Sequence, residues 1–383
     1  MKKRRILFVT ERRADYSRLK PILQLAKKSP KLEVRLVATG LHFLKSFGET
    51  KQAHLDDGFK IDRELPVYRD EDADNGEMMA RAFGEFVIKL TEAVKDIKPD
   101  VIFCGFDLGA HLAAAAVGMH MNIPVAHIQG GERSGTIDEV LRHATTKFAH
   151  IHFAATKESR ERIIKLGEDP QYVFLVGSPS LDNIHQTRYV KKAVIAKKFG
   201  LDQKKRLIIF LQHPVTTEVE KVESQIKESI TALQAAVKKH NAQVMAIYSN
   251  NDAGGKRIVA HLERSGFTVR PHVSVEEFLQ LLNVAQVLVG NSSAGIHEAP
   301  SFGLPTVNIG SRQQFRERGV NVIDVPNDRR AIEQAITKAL TDRTFIARVK
   351  KGTNPYDHGD TAKQVVRILE TITLPPIQKV ITY

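Results

Sequence analysis

The amino-acid sequence predicts an α/β protein made of two Rossmann-like, doubly wound domains, each with a parallel sheet. The main observation is that short apolar runs, typical of buried strands, alternate with helical patterns along the whole chain. The second observation is the length of 383 residues, which exceeds one ordinary domain and favours two. Two such halves facing each other would leave a deep central cleft, which is a common place for ligands.

The first half contains six apolar runs that predict strands, separated by sequence with helical periodicity. The strands are predicted at residues 6–10, 34–39, 101–105, 125–128, 151–155 and 173–177. Helices are predicted at residues 19–27, 78–96 and 110–119, with a further helix after Thr136. In that further helix, Thr136 followed three residues later by Glu139 matches a capping box.

The second half repeats the alternation after a turn-rich stretch at residues 177–183, where we place the domain boundary. The predicted domains are residues 1–180 and 181–383. Strands are predicted at residues 207–211, 244–248, 267–269, 287–290 and 306–310, and a last helix at residues 362–372.

The composition of the chain excludes several classes of protein. The net charge of +13 favours an anionic ligand, but the basic residues form short doublets without interleaved aromatic residues, so nucleic acid is not the expected partner. The single cysteine, Cys104, excludes a disulfide framework. No stretch approaches the roughly 18 apolar residues of a membrane span, and the apolar run after the basic N-terminus is too short for a signal peptide. We therefore expect a cytoplasmic protein without a membrane partner.

The segment at residues 125–143 is dense in polar groups. It predicts a buried strand, a turn at two glycines, and a helix on which Asp138 and Arg142, four residues apart, can pair. Open α/β sheets bind ligands beyond the carboxyl ends of their strands, so the polar residues of this segment indicate a site. The candidate residues are His127, Gln129, Glu132, Asp138 and Arg142.

Strand ends in the second half predict an anion site. The stretch at residues 290–295 follows a strand and opens a helix, so backbone N–H groups and the hydroxyls of Ser292 and Ser293 can hold a phosphate. This stretch matches neither a Walker A sequence nor a dinucleotide fingerprint. Glu298 is placed to accept hydrogen bonds from ribose hydroxyls, and Arg312 is a second candidate phosphate contact.

Polar residues follow other strands as well. The further candidates at strand ends are His213 and Asn251 in the second half, and Arg13, Ser17, His42 and Asp107 in the first. We expect Asp107, Glu132 and Asp138 to meet in the cleft, where neighbouring carboxylates push their pKa values apart, as acid–base chemistry at neutral pH requires. The spacing of His, Asp and Glu matches no metal motif, so no metal is expected.

Six motifs, taken as a set, resemble one known family. They are Arg13-Ala-Asp-Tyr-Ser17, Gly130-Gly-Glu-x-Ser-Gly-Thr-Ile-Asp138 with Arg142-His143-Ala144, His213-Pro-Val-Thr-Thr217, Asn251-Asp-Ala-Gly254, Gly290-Asn-Ser-Ser293 and Gly310-x-Arg312-Gln313. With these motifs the chain resembles the hydrolysing UDP-N-acetylglucosamine 2-epimerases of sialic-acid biosynthesis, in order and over essentially its whole length.

The resemblance implies a fold of the glycosyltransferase-B type, with the C-terminal helix returning to the N-terminal domain. It also implies a reaction without metal or other cofactor. UDP and the C2 proton are eliminated to give a glycal, and water then adds at C1 with reprotonation on the other face of C2. N-acetylmannosamine and UDP are released. The family commonly forms dimers or tetramers, so a homodimer or homotetramer is expected.

The resemblance also implies roles for individual residues. The nucleotide and its diphosphate would be held by Arg13, Ser17, His213, Ser292, Ser293, Glu298 and Arg312, and Asn251 belongs to a motif of the same half. The predicted catalytic residues are Asp107, Gln129, Glu132, Asp138 and His213. Arg142 would orient Asp138, and His42 and His127 would lie near the sugar.

Two departures from the family pattern leave alternatives open. Gln129 stands where the family commonly has a glutamate, and a neutral amide cannot act as a general base. Leu108 stands where an arginine usually follows the central aspartate. One alternative is the same chemistry on UDP-2,4-diacetamido-2,4,6-trideoxyglucose, and another is a UDP-sugar-binding protein with little turnover. A glycosyltransferase of similar fold would need an acceptor besides water.

Overall fold

The computed structural model describes residues 2–250 and 252–383, and two parallel sheets organise them. The strands of the first sheet are β1 (Arg4–Thr10), β2 (Leu32–Thr39), β3 (Arg63–Leu65), β4 (Val101–Gly105), β5 (Val125–Ile128), β6 (Ile151–Ala154) and β7 (Val173–Leu175). Those of the second sheet are β8 (Arg206–Leu211), β9 (Ala242–Ile247), β10 (Thr268–Arg270), β11 (Val287–Gly290), β12 (Thr306–Ile309) and β13 (Val322–Val325). The predicted fold class is confirmed.

Helices connect the strands of each sheet. In the first half they are α1 (Arg13–Lys28), α2 (Gln52–Asp56), α3 (Gly76–Ile97), α4 (Gly109–His120), α5 (Asp138–Phe148), α6 (Lys157–Lys165) and α7 (Ser180–Gln186). In the second half they are α8 (Lys192–Phe199), α9 (Val222–His240), α10 (Gly255–Glu263), α11 (Val275–Val284), α12 (Ala294–His297), α13 (Arg329–Thr341), α14 (Arg343–Lys351) and α15 (Thr361–Thr371). Among the described residues, no helix is long and apolar enough to cross a membrane.

The strand order gives each sheet one topological switch point. The first sheet runs β3-β2-β1-β4-β5-β6-β7, and the second runs β10-β9-β8-β11-β12-β13. The direction of winding therefore reverses between β1 and β4, and again between β8 and β11. Open α/β sheets bind ligands beyond the strand ends at such points. The loops that follow these four strands line one cleft between the two sheets, which is where the fold places the candidate site.

Each sheet carries an apolar core on both of its faces. Phe8 and Phe103 of the first sheet pack with Leu19 of α1 in one of these cores. The same core contains Val365 and Leu369 of α15, although this helix follows the second sheet in the chain. The predicted return of the C-terminal helix to the first domain is therefore confirmed. The exact boundary at residue 180 remains a prediction.

Two strands and two helix starts differ from the sequence prediction. β3 and β13 were not predicted, because each is a short strand at the edge of its sheet, β3 has two charged residues, and Asp324 interrupts the apolar residues of β13. α1 begins six residues earlier than predicted, since the Asp15 carboxylate accepts hydrogen bonds from the backbone N–H groups of Glu11 and Arg12 at 2.7 and 2.9 Å. The capping box predicted before α5 is wrong, because the Glu139 carboxylate accepts from the Ser134 N–H instead, at 2.6 Å.

Candidate active site

A cleft with a cavity of about 280 Å³ lies between the carboxyl ends of the two sheets. Both domains line it. The predicted site residues on its walls are Arg13, Ser17, Asp107, His213, Ser292, Ser293, Glu298 and Arg312. The other predicted residues lie behind these walls or at the edge of the cleft, and Asn251 lies outside the described residues.

The serine loop forms the wall of the cleft beyond β11. Gly290 has φ +130°, and a Cβ there would lie 2.1 Å from the carbonyl oxygen of Leu211 at the end of β8, so only glycine allows the two strands to end this close. The helix that follows, α12, is a single turn. Its weak dipole contributes little, so the donors that the loop offers an anion are the hydroxyls of Ser292 and Ser293 and nearby guanidinium groups.

One of these guanidinium groups comes from the other domain. Arg18 of α1 donates from Nη2 to the hydroxyl oxygen of Ser293 at 3.1 Å, and its Nη2 lies 3.9 Å from the Glu298 carboxylate. The sequence interpretation did not include Arg18. The anion site is therefore completed across the domain interface.

Glu298 has an acceptor free for a ligand. Its side chain lines the cleft and is 10% exposed. Its buried Oε2 has no hydrogen-bond partner in the described part of the chain. A buried acceptor without a partner costs free energy unless a ligand satisfies it. This geometry agrees with the predicted role of accepting hydrogen bonds from ribose hydroxyls.

His213 is held as a neutral imidazole. The backbone N–H of Asn250 donates to its Nδ1 at 3.1 Å, so Nδ1 carries no proton and Nε2 does. Burial lowers the pKa of His213 well below its usual value, and the charges of Arg312 and Arg12 lower it further. His213 is therefore a neutral hydrogen-bond donor that lines the cleft.

Asp107 follows β4 and is held by two guanidinium groups. Arg142 of α5 donates from Nη2 to its carboxylate, and Arg316 Nη2 lies 3.6 Å away. Burial raises the pKa of Asp107, but the charges of Arg142 and Arg316 outweigh burial and bring the pKa to about 2. The prediction that Arg142 pairs with Asp138 is wrong, because Asp107 and the carbonyl of Glu132 occupy its guanidinium.

The pKa of Asp138, the first residue of α5, is shifted in the opposite direction to that of Asp107. The Asp138 carboxylate lies 3.4 Å from Arg312 Nη2. Burial and the negative charge of Asp107 nevertheless raise the pKa of Asp138 to about 6, against the opposing charge of Arg312. Asp107 and Asp138 are thus two neighbouring carboxylates whose pKa values are pushed apart, as the sequence analysis expects. Such a separation suits one permanently ionised group and one group that exchanges a proton.

Glu132 lies behind the cleft and joins the two domains. It is 2% exposed, and its carboxylate accepts from Arg316 Nη1 and lies 3.1 Å from His297 Nε2, both in the second domain. Gln129 Nε2 donates to the same carboxylate at 2.8 Å. Burial raises the pKa of Glu132, but His297 and Arg316 outweigh burial and lower it. The sequence interpretation did not include Arg316 and His297.

Gln129, His42 and His127 are also buried behind the cleft. Gln129 has a left-handed backbone with φ +59°, and its buried Oε1 has no partner among the described residues. His42 Nδ1 lies 2.8 Å from the hydroxyl of Thr50, and His127 Nδ1 lies 3.2 Å from the hydroxyl of Thr146. Burial lowers the pKa of both histidines to about 3. Their predicted roles near the sugar remain predictions.

The start of α1 brings Arg13 and Ser17 to the cleft. Arg13 Nη1 donates across the cleft to the carbonyl of Val273, while the hydroxyl of Ser17 donates to the carbonyl of Ala14 at 2.8 Å. Burial lowers the pKa of Arg13 to about 10. This helix start is fixed by Asp15, whose carboxylate lies 2.9 Å from Nε2 of the buried His111. Recognition of Asp15 as a capping residue in the sequence would have placed the start of α1 correctly.

No group of three or more His, Cys, Asp or Glu side chains is arranged to hold a metal ion within residues 2–250 and 252–383.

Comparison with known proteins identifies the family. The family model of UDP-N-acetylglucosamine 2-epimerase matches residues 24–370. The chain belongs to this epimerase family. It is 36% identical to the UDP-N,N'-diacetylbacillosamine 2-epimerase (hydrolyzing) of Legionella pneumophila, over 97% of each chain. It is 32% identical to the UDP-N-acetylglucosamine 2-epimerase of Neisseria meningitidis, over 97% of this chain and 96% of the relative.

A solved structure agrees with the fold of this epimerase family member. The UDP-GlcNAc 2-epimerase of Neisseria meningitidis, bound to UDP-GlcNAc, superposes with a TM-score of 0.79 at 19% identity, covering 95% of this chain and 99% of that one. The resemblance stated from the sequence motifs is thereby confirmed at the level of the family and the fold.

Proposed function

We propose that this protein is a hydrolysing 2-epimerase that converts UDP-N-acetylglucosamine and water to N-acetylmannosamine and UDP. The observation that carries the proposal is the pair of carboxylates at the edge of the first sheet, Asp107 and Asp138, whose pKa values are about 2 and 6. Asp107 lines the cleft together with the serine loop, and Asp138 lies against Arg312, which also lines it, so both acid–base groups adjoin a site suited to a nucleotide diphosphate.

The second domain would bind the UDP moiety. Ser292 and Ser293 offer hydroxyls to the diphosphate, with Arg18 and Arg312 supplying positive charge from both sides of the cleft. Guanidinium groups suit phosphate oxygens because they donate several hydrogen bonds in a fixed geometry. Glu298 would accept from the ribose hydroxyls through its unpartnered Oε2. The Neisseria meningitidis structure bound to UDP-GlcNAc supports this ligand class.

In the first step, the carboxylate of Asp138 would take the proton from C2 of the sugar. The C2–H electron pair forms the C1–C2 double bond, and the C1–O bond breaks to release UDP. A base with a pKa near neutrality is the most effective at neutral pH, which favours Asp138 over the fully ionised and ion-paired Asp107. His213 would donate from Nε2 to the departing phosphate oxygen without adding charge to the site.

In the second step, water would add its oxygen at C1 of the glycal and lose one proton to the solvent, while a proton that comes from the solvent is added to the opposite face of C2. Asp138 would release the proton taken from C2 to the solvent, which restores the base for the next turnover. Asp107, held by Arg142 and Arg316, would stay ionised and keep these guanidinium groups in place beside the sugar. Glu132 would act as a positioning residue, because it holds Arg316 from behind the cleft. Gln129 in turn orients Glu132, so the absence of the family's common glutamate at this position is compatible with turnover.

A second candidate substrate is UDP-2,4-diacetamido-2,4,6-trideoxyglucose, and one feature of the cleft favours it. The first domain lines the cavity with the apolar side chains of Leu41, Phe47, Phe106 and Leu108. Apolar walls suit a 6-deoxy sugar with a second acetyl group better than a sugar with free hydroxyls at C4 and C6. The Legionella pneumophila relative, named for UDP-N,N'-diacetylbacillosamine, supports this alternative.

The test is proton NMR of the purified protein in D₂O with each UDP-sugar and no added metal. Free N-acetylmannosamine with deuterium at C2, together with UDP, is the expected result. Release of the corresponding diacetamido sugar at a much higher kcat/KM would select the second candidate. A UDP-linked epimer would refute the hydrolytic reaction, and UDP binding without turnover of either sugar would favour the binding protein. A homodimer or homotetramer and a cytoplasmic location remain predictions.

A further inference from the structure

A short loop of the first domain reaches the second domain at the mouth of the cleft. Residues 70–74, which we call the strap, lie between β3 and α3. The carboxylate of Asp74 accepts hydrogen bonds from the backbone N–H groups of Gly254 and Lys256, at 3.0 and 3.1 Å. In return, Lys256 Nζ donates to the carbonyl oxygens of Asp70 and Asp72, at 3.1 and 2.9 Å. The strap therefore makes four hydrogen bonds to the start of α10.

These bonds provide acceptors for backbone N–H groups at the start of α10, where the N-cap residue has no side chain that could accept them. Gly254 is the N-cap residue of α10 and has φ +97°. Glycine has no side chain to accept from the exposed N–H groups of the first turn, which in most helices bond to a Ser, Thr, Asp or Asn at this position. Asp74 supplies that acceptor from the other domain, and its negative charge interacts favourably with the helix dipole. The first domain thus caps a helix of the second.

The other end of the strap is tied to the wall of the cleft. The Asp70 carboxylate accepts from the backbone N–H groups of Lys45 and Ser46, both at 3.1 Å. Leu41 and Phe47, in the same segment, line the cavity. The strap therefore connects a cleft-lining segment of the first domain to α10.

α10 is in turn connected to His213. Gly255, the first residue of α10, packs against Asn250, because a Cβ at Gly255 would lie 2.1 Å from the Asn250 carbonyl oxygen. The Asn250 N–H donates to His213 Nδ1, and the carboxylate of Asp252 lies 3.7 Å from Arg12 Nη1. Movement of the start of α10 would therefore move the group that fixes the tautomer of His213.

We propose that Asp74 is a positioning residue that holds the cleft closed and, through the packing of α10 against Asn250, keeps His213 directed at the ligand. This role goes beyond the proposed function, because closure does not depend on which sugar is turned over. Asp74 bonds to the second domain only when the domains are together, so its loss shifts the protein towards an open cleft that binds UDP more weakly.

The test compares three variants, Asp74→Ala, Asp74→Asn and the matched control Glu71→Gln, which removes an exposed charge from the same strap. We expect Asp74→Ala to raise the Kd for UDP and the KM for the UDP-sugar roughly fivefold to thirtyfold, as the loss of a helix cap does. Asp74→Asn keeps one oxygen acceptor and should have a smaller effect. Glu71→Gln should stay within about twofold of wild type, and Asp74→Ala should also lower the melting temperature modestly, because it removes a helix cap.

Small-angle X-ray scattering of the ligand-free proteins is the second measurement. A larger radius of gyration for Asp74→Ala than for Glu71→Gln supports the proposal. Wild-type scattering and a wild-type Kd for UDP in Asp74→Ala would overturn the proposal, and a lowered melting temperature with those two properties unchanged would show that the cap serves stability alone. Because scattering and UDP binding need no turnover, this outcome is distinguishable from failure of the proposed reaction.

Discussion

The two switch points of the molecule present different chemistry to the same cleft. At the first, beyond β1 and β4, the side chains are charged, with Asp107 paired to guanidinium groups and Asp138 at the start of α5. At the second, beyond β8 and β11, the side chains are the neutral His213 and two serines. Positive charge beside the serine loop comes from Arg18 of the first domain and from Arg312 of the second. In the reaction that we propose, one sheet edge supplies the groups for proton transfer and the other binds the nucleotide, and neither is complete alone.

The largest effect is expected from a substitution of a charged residue beyond the first switch point, and it should appear in kcat. Asp138→Asn removes the proposed base while keeping the shape of the side chain, so kcat should fall by roughly 10²–10⁴-fold. The Kd for UDP, measured by calorimetry, should stay within about threefold of wild type, because the asparagine keeps an oxygen acceptor for Arg312 and Asp138 does not bond to Ser293 or Arg18. A variant that loses UDP binding and turnover together would break the proposed division between the two edges.

The second largest effect is expected on the free energy of unfolding, because the ion pairs near the first switch point extend into the interface between the domains. Glu132→Gln removes the closer of the two carboxylates that pair with the buried Arg316 and leaves only Asp107, at 3.6 Å. Breaking a buried ion pair typically costs about 3–5 kcal/mol, so we expect a loss of up to this size. Urea unfolding measures the loss. The double variant Glu132→Gln with Arg316→Met removes both charges and should recover much of it. Equal instability of the single and double variants would contradict a role for the ion pair.

A substitution at the second switch point, beyond β8 and β11, should have a smaller effect, and it should change KM rather than kcat. Ser293→Ala removes the hydroxyl that accepts from Arg18 and is offered to the diphosphate. Loss of one such hydrogen bond typically costs about 0.5–1.5 kcal/mol, so the Kd for UDP should rise roughly twofold to tenfold. If the serine acts only in binding, KM should rise by a similar factor while kcat changes little. A fall in kcat alone would place Ser293 among the groups that act in the transition state.

The pH dependence refines the assignment on the charged side. The base must be ionised, and the pKa of Asp138 is raised to about 6, so kcat/KM should be level above this pH and fall up to tenfold per pH unit below it. The negative charge of Asp252 contributes to this rise. Asp252→Asn should therefore move the midpoint to lower pH. A profile that falls towards high pH instead would mean that the protonated carboxyl is the active form.

The fold was largely predictable from the sequence, because parallel buried strands such as β1, β4 and β11 are continuous apolar runs. The short edge strands β3 and β13 were not predictable in this way, since an edge strand of three or four residues needs no apolar run. The candidate residues that follow the central strands, such as Asp107 and Ser292, were also identified, because strand ends of a doubly wound sheet converge on one edge.

What the sequence determined by itself was local: which segments form strands, which polar residues follow them, and the motifs that indicate the family. Only the tertiary structure decided the partners of those residues. Arg142 bonds to Asp107 rather than to Asp138, and Glu132 meets Arg316, some 184 positions away in the chain. The physical reason is that ion pairing and burial depend on distance in space, and the relative position of two domains is set by packing between segments that no local pattern relates.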